Sequence, residues 1–163
     1  MLPALIAWIR DTPLSWFVLN YGWVWPISET IHFCGLTLMA GTVGIFDLRV
    51  LGIGRGIAPR SLHRLVRFGV AGFALSVMTG TLFIAGTPDQ YFYNAAFKVK
   101  VACLFLIGCN VILFYSLEFK RVIRLGPDDD APLAAKWMAG TSLLLLICVM
   151  CAGRMLTFFR PPF

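Results

Sequence analysis

The sequence predicts an all-α integral membrane protein, a four-helix bundle preceded by one or two interfacial helices. Of its 163 residues, 59% are hydrophobic and only 13% are charged, whereas soluble domains carry roughly 25% charged residues. Four apolar stretches reach about the 20 residues that cross a hydrocarbon core. They cover residues 26–49, 66–87, 97–118 and 135–158. No room is left for a separate soluble domain, so residues 1–163 are expected to form one membrane domain.

The segment 1–24 is predicted to lie at the membrane surface before the first span. Tryptophans, which are enriched at membrane interfaces, crowd it and its junction with that span: Trp8, Trp16, Trp23 and Trp25. Pro13 divides the segment, and Pro26 opens the span at a position where a missing N–H is tolerated. No basic residue precedes the short apolar run of MLPALIAWIR, so we do not expect a cleaved signal peptide.

The basic residues predict how the spans are oriented. Nine of the fourteen lysines and arginines lie in the first and third loops or at their edges: Arg49, Arg55, Arg60, Arg64, Arg67, Lys120, Arg121, Arg124 and Lys136. Positive charge collects on the cytoplasmic side. Both termini and the 88–96 loop are therefore expected on the periplasmic side of a bacterial inner membrane. The net charge of +6 is thus explained by a lipid bilayer as partner, without nucleic acid.

Ionisable residues recur near both ends of three spans. A separation of 18 residues, about 27 Å of helix, places the two members of each pair on one face. The pairs are Glu29 with Asp47, Lys100 with Glu118, and Lys136 with Arg154. These residues could mark the two membrane interfaces, or they could face the bundle interior and pair there. In the second case, Glu29 is expected to pair with Lys100 or Arg154 in an outer layer. Asp47, Glu118 and Lys136 would form an inner layer, joined by Arg64 and Arg67.

His32 is the deep histidine of the chain, one turn further into the membrane than Glu29. It is expected to point into the bundle, where it serves either packing or function. His63 lies among arginines near the opposite surface and is expected to be solvated. Asn110 is the other polar residue at mid-membrane and is predicted to make an interhelical hydrogen bond.

Small residues and cysteines complete the pattern within the spans. The four-residue spacing of Gly72, Ser76 and Gly80 predicts close approach of the second helix to a neighbour. The five cysteines are an odd number, and all lie within predicted spans, so we expect no disulfide framework.

Several motifs together carry a resemblance. IHFCGLTLMAGTVGIFDLRVLGI, MTGTLF, PDQYFYNAAFKVK and AGRM resemble a bacterial family of small four-span membrane proteins of unknown function, over nearly the whole chain from about residue 25. The pattern is also distantly similar to HemJ-type protoporphyrinogen oxidases, with a histidine in the first span and a lysine opening a later one. It is similar too to CopD-type copper-resistance proteins, through TG, a following Tyr, and Lys followed by Asn in the next helix.

The HemJ likeness implies a b-type haem with His32 as axial ligand and Lys100 at the second essential position. Lys100 and Arg154 could then hold the propionates, and Glu29 would belong to the same outer site. Asn110 stands where these proteins commonly have a histidine, and Met39 where they have an aromatic residue, so protoporphyrinogen oxidation itself is not expected.

Three function classes remain open at this stage. The first is a haem-binding redox or electron-transfer protein, whose partners would include other membrane or periplasmic redox subunits. The second is a non-catalytic subunit that anchors or stabilises a larger complex. The third is a copper-handling protein, because Cys103 and Cys151 are predicted at the depth of His32, and thiolates with imidazole suit Cu(I).

Overall fold

The computed structural model describes residues 1–159, and these fold into helices without a β-strand. The helices are α1 (Leu2–Arg10), α2 (Pro13–Asn20), α3 (Val24–Leu51), α4 (Pro59–Gly86), α5 (Pro88–Phe92), α6 (Ala95–Leu113), α7 (Phe119–Val122) and α8 (Leu133–Met155). A π-helical turn, Phe114–Glu118, joins α6 to α7. Four helices, α3, α4, the continuous Ala95–Val122 and α8, are long and apolar enough to cross a membrane. The predicted all-α fold class is confirmed.

Local sequence signals explain several helix ends. The Thr12 side chain accepts a hydrogen bond from the Ser15 N–H at 3.2 Å and so caps α2. The Asn94 side chain caps α6 in the same way, at 2.9 Å from the Ala96 N–H. α3 ends at Gly52, whose φ of 105° suits glycine. α4 begins at Pro59, which suits the first position of a helix, and so starts before the apolar span predicted over 66–87.

The four long helices pack as two pairs. α3 runs along α4, α6 runs along α8, and the two pairs meet mainly through α3 and α8. Within the first pair the backbones touch: a Cβ on Gly35 would lie 2.7 Å from the Gly72 carbonyl oxygen, and one on Gly72 would lie 2.5 Å from the Gly35 carbonyl oxygen. The predicted close approach of the second span at Gly72 is confirmed, and Gly35 is its partner.

One end of the bundle holds the main hydrophobic core. Phe46 and Val50 of α3, Val122 of α7, and Ala135 and Ala139 of α8 are all buried there. The connections 52–58 and 123–132 close this end, which we call the inner half. We call the opposite half, which carries α1, α2 and α5, the outer half.

The outer half is held together by contacts of the short helices. Arg10 of α1 forms an ion pair with Asp89 of α5. α2 packs on α4, where a Cβ on Gly86 would lie 2.9 Å from a methyl group of Val18. The Asn94 side chain donates to the Leu156 carbonyl at 3.0 Å and joins the end of α8 to the start of α6.

Candidate functional site

His32 lies partly buried between α3 and α4, with one ring nitrogen engaged. Nδ1 is 2.8 Å from the Thr79 hydroxyl oxygen, and that hydroxyl donates to the Leu75 carbonyl at 2.8 Å. A hydroxyl has one proton, and a carbonyl can only accept. The network is therefore satisfied when Nδ1–H donates to Thr79, which leaves the lone pair on Nε2. This is the tautomer in which Nε2 can bind a metal ion.

The His32 ring lies beside aromatic side chains and a glycine of α4. Phe83 meets the ring edge-on at 5.4 Å between centroids, and Trp25 packs on Phe83 at 5.1 Å. A Cβ on Gly80 would lie 3.9 Å from Cε1, the carbon next to Nε2. Gly80 therefore places no side chain beside Cε1.

Lys100 comes to this place from the other helix pair. It is partly buried on α6, and its ammonium group lies 3.6 Å from the position that a Cβ would take on Gly153 of α8. It is also the charged group that acts electrostatically on His32. Lys100 is therefore close enough for its charge to act on His32, which the sequence places one turn deeper than the predicted outer layer.

Glu29 and Arg154 do not complete that layer. Both side chains are exposed, and the Arg154 guanidinium lies over the Phe158 ring, 5.7 Å from its centroid. Among residues 1–159, Glu29 forms no ion pair, so the predicted pair with Lys100 or Arg154 is wrong. Glu29 precedes His32 by three residues, and the 60° by which this falls short of a full turn is enough to turn its carboxylate outward.

The cysteines show neither a disulfide nor a shared metal site in the part of the chain described. All five are free thiols; Cys103 is partly buried and Cys151 exposed. Within residues 1–159, no three His, Cys, Asp or Glu side chains are grouped so that they could hold a metal ion. His32, Cys103 and Cys151 are thus not gathered as the copper alternative would require.

Asn110 has a structural role. Its side-chain amide donates to the Met138 carbonyl at 3.0 Å and so links α6 to α8. This is the interhelical hydrogen bond that the sequence predicts.

Arg49 is a buried structural residue that the sequence analysis treats only as a cation at the edge of the first loop. Its side chain is 1% exposed. Nε donates to the Ile57 carbonyl at 2.6 Å, and Nη2 donates to the carbonyls of Gly126 and Asp129, both at 3.2 Å. It therefore ties the 52–58 connection to the 123–132 connection. Nothing in the residue spacing around Arg49 predicted this burial.

The predicted inner layer is not one network. Asp47 and Glu118 are buried, 7% and 5% exposed, and each has one carboxylate oxygen without a hydrogen-bond partner among the described residues. Ser142 lies beside Asp47, whereas Glu118 pairs with Arg121 at 3.2 Å. The other predicted members lie apart from these two acids: Lys136 bonds to Asp130 at 2.7 Å, and Arg64 and Arg67 are exposed.

The Asp130 carboxylate is the shared partner of two cations in the inner connections. It accepts a hydrogen bond from Lys136 and lies 3.1 Å from the Arg55 guanidinium. The Lys136 hydrogen bond, with the positive charge of Arg55, holds the pKa of Asp130 below its ordinary value. The carboxylate is therefore ionised at neutral pH, and these contacts weaken only when the pH falls through that lowered pKa.

His63 differs from the expected solvated residue. Its Nε2 is 2.8 Å from the Tyr115 hydroxyl oxygen, and its ring packs on Phe119 with centroids 4.8 Å apart. The π-helical turn carries Tyr115, so this contact depends on a local irregularity that residue spacing does not reveal. The two histidines lie in opposite halves of the bundle, as predicted.

The comparisons with known proteins agree with one of the resemblances. The model of a family of unknown function, DUF6644, matches residues 5–159. No curated protein and no solved structure matches the chain. The likeness to a family of unknown function is thereby confirmed, and the comparisons give no support to the HemJ-type or CopD-type likeness.

Proposed function

We propose, for a chain that belongs to the DUF6644 family of unknown function, that the outer half of the bundle binds a b-type haem for electron transfer. His32 Nε2 is the axial ligand in this proposal. The observation that carries it is the hydrogen bond from His32 Nδ1 to the Thr79 hydroxyl. In metal-binding imidazoles, a hydrogen bond from the nitrogen that does not bind the metal fixes the tautomer and the orientation of the ring.

The residues around His32 fit the requirements of haem. A haem needs an imidazole lone pair, apolar surroundings and a cation for its propionates. Phe83 and Trp25 supply the apolar surface beside the ring, and Lys100 supplies the cation from the opposite helix pair. Arg154 is exposed at the same end and is available to a second propionate. Glu29 takes no part in this version of the site.

The chemistry of such a site follows from its parts. A bound haem would supply one-electron oxidation and reduction. The protein would hold the imidazole through Thr79, neutralise a propionate with Lys100 and exclude water with Trp25 and Phe83. One chain offers one histidine in this half, so a second imidazole ligand would have to come from another chain.

A Soret band is the test of the proposal. The protein is expressed with haem supplementation and purified, and its visible spectrum is recorded for the wild type and for His32→Ala. We expect the wild type to show the band and the variant, at equal protein, to lose it. His63→Ala is the matched control, since it removes the other histidine, and it should keep the band.

Two results would contradict haem binding at His32. One is a wild-type preparation without Soret absorbance after supplementation. The other is haem retained undiminished in His32→Ala. Circular dichroism of the variant separates loss of haem from loss of fold, because the helix content should not change when only the ligand is removed.

One observation favours the alternative of a non-catalytic subunit in a larger complex. Ala96 is the buried residue of α6, and the rest of that helix is exposed or partly exposed. Lipid or a helix of a companion subunit could cover this face. A stoichiometric companion that copurifies with a haem-free wild type would favour this function over the first.

A further inference from the structure

A cleft opens at the inner surface between the start of α4 and the segment that follows α7. Its volume is about 520 Å³, and it is lined by Ala58, Arg60, Ile123, Arg124 and Leu125. Sites for small ligands commonly have volumes of roughly 300–1,000 Å³. Two arginines thus line, together with apolar residues, a space large enough for a small ligand.

The positive charge of this cleft has no partner within the described chain. Nearby carboxylates are engaged elsewhere: Asp130 with Arg55 and Lys136, Glu118 with Arg121, and Asp129 with the Gly126 N–H. In residues 1–159, Arg60 and Arg124 form no ion pair. An anion from outside the chain would therefore meet two arginines that no carboxylate of the described residues pairs with.

The walls of the cleft are fixed from beneath by Arg49. This buried side chain bonds to the Ile57 carbonyl, next to Ala58, and to the Gly126 carbonyl, next to Leu125. The Asp128 N–H donates to the Arg55 carbonyl at 2.9 Å and joins the same two connections. Because both walls are held before any ligand arrives, binding costs less conformational entropy.

We propose that this cleft binds the headgroup of one anionic phospholipid from the surrounding bilayer, with its phosphate between Arg60 and Arg124. Guanidinium groups bind phosphate oxygens in a bidentate manner. The cleft lies where two membrane-spanning helices end, the level at which lipid phosphates lie. Ile123 and Leu125 give the glycerol and the first acyl carbons an apolar surface, which a free inorganic anion would not use. Basic clefts between spans are known sites for such lipids.

Native mass spectrometry of the detergent-purified protein tests this assignment. The wild type is titrated with dioleoyl-phosphatidylglycerol and, separately, with dioleoyl-phosphatidylcholine. We expect one phosphatidylglycerol to bind preferentially. Arg60→Gln and Arg124→Gln should each weaken its binding about five-fold, the effect of one basic residue near a membrane surface.

Arg64→Gln is the matched control. Arg64 lies one turn along α4 from Arg60, is exposed, and does not line the cleft. The Arg64→Gln variant loses the same charge at the same surface, and it should reduce phosphatidylglycerol binding clearly less than either cleft variant. Circular dichroism of each variant verifies that it is folded.

Three outcomes would overturn the proposal. If phosphatidylcholine bound as well as phosphatidylglycerol, the cleft would bind a lipid phosphate whatever the net charge of the headgroup. An equal loss in Arg64→Gln would show diffuse attraction to the whole basic surface. Displacement of the lipid by millimolar inorganic phosphate alone would assign the cleft to a free anion. None of these measurements depends on haem.

Discussion

At the scale of single residues, Arg49 is the charged side chain whose removal should cost most. It is buried, and three backbone carbonyls accept its hydrogen bonds. Hydrogen bonds to charged groups contribute about 1.5–3 kcal/mol each. We expect Arg49→Met to lower the free energy of unfolding by at least about 3 kcal/mol, measured by thermal or denaturant unfolding in detergent.

Arg55→Met is the control for this substitution. Arg55 pairs with Asp130, but its side chain is exposed, and exposed ion pairs contribute about 0–1 kcal/mol. Equal losses in the two variants would contradict the role that we give to the burial of Arg49.

The same residues show what sequence can predict at this scale. Depth in the membrane follows from counting residues, and it placed His32 one turn deeper than the layer that holds Lys100. Rotation about the helix axis does not follow with the same precision, and an error of 60° turned Glu29 from a buried partner into an exposed carboxylate. The burial of Arg49 was not predicted either, because a loop that folds back to supply carbonyl acceptors cannot be recognised from residue spacing.

At the scale of helices, the contact between α3 and α4 depends on two glycines. A methyl group on Gly72 would lie 2.5 Å from the Gly35 carbonyl oxygen and 3.0 Å from the Met39 nitrogen, both backbone atoms that cannot rotate away. Gly72→Ala must therefore push the helices apart. Overpacking typically costs about 1–3 kcal/mol, and we expect a loss in that range in a thermal unfolding assay.

Gly108→Ala is the matched substitution on α6. A Cβ at Gly108 would meet no atom within 4 Å among the described residues, and alanine favours a helix over glycine by about 1 kcal/mol. This variant should be as stable as the wild type or more so. Destabilisation of both variants to the same extent would mean that glycine at either site serves helix flexibility rather than close packing.

Helices differ in how far their sequences specify them. The four-residue spacing of small residues predicted that α4 packs closely, although the partner Gly35 required the structure. The π-helical turn Phe114–Glu118 was not predicted, because a single extra residue within a helix changes neither composition nor hydropathy. That turn decides where Tyr115 and Glu118 point, so the His63–Tyr115 contact was also missed.

At the scale of the whole molecule, the arrangement of the spans can be tested by labelling. Cysteines are introduced at Gly22, where a Cβ would have open space, and at Pro127, which is exposed in the inner connection. The inner half carries most of the basic residues. In oriented membranes, we expect an impermeant maleimide to label Gly22→Cys from the outside and Pro127→Cys from the inside.

Labelling of the wild type measures the background from the five native cysteines. All five lie within the long helices. Labelling of both introduced cysteines from the same face would rule out four spans.

Composition was sufficient to predict the number of spans, since hydrophobic length is a property of each segment alone. The pairing of α3 with α4 and of α6 with α8 was not predicted, because it depends on side chains that meet between segments.

That pairing has a consequence for how the chain enters the membrane. Each pair is a helical hairpin whose main contacts are internal, so each can leave the translocon as a finished unit. The second hairpin supplies the carbonyls of Gly126 and Asp129 to Arg49 of the first. Until the second hairpin has been synthesised, this guanidinium has to remain hydrated at the membrane surface. Its burial would therefore mark the end of biogenesis, the moment at which two separately inserted hairpins become one protein.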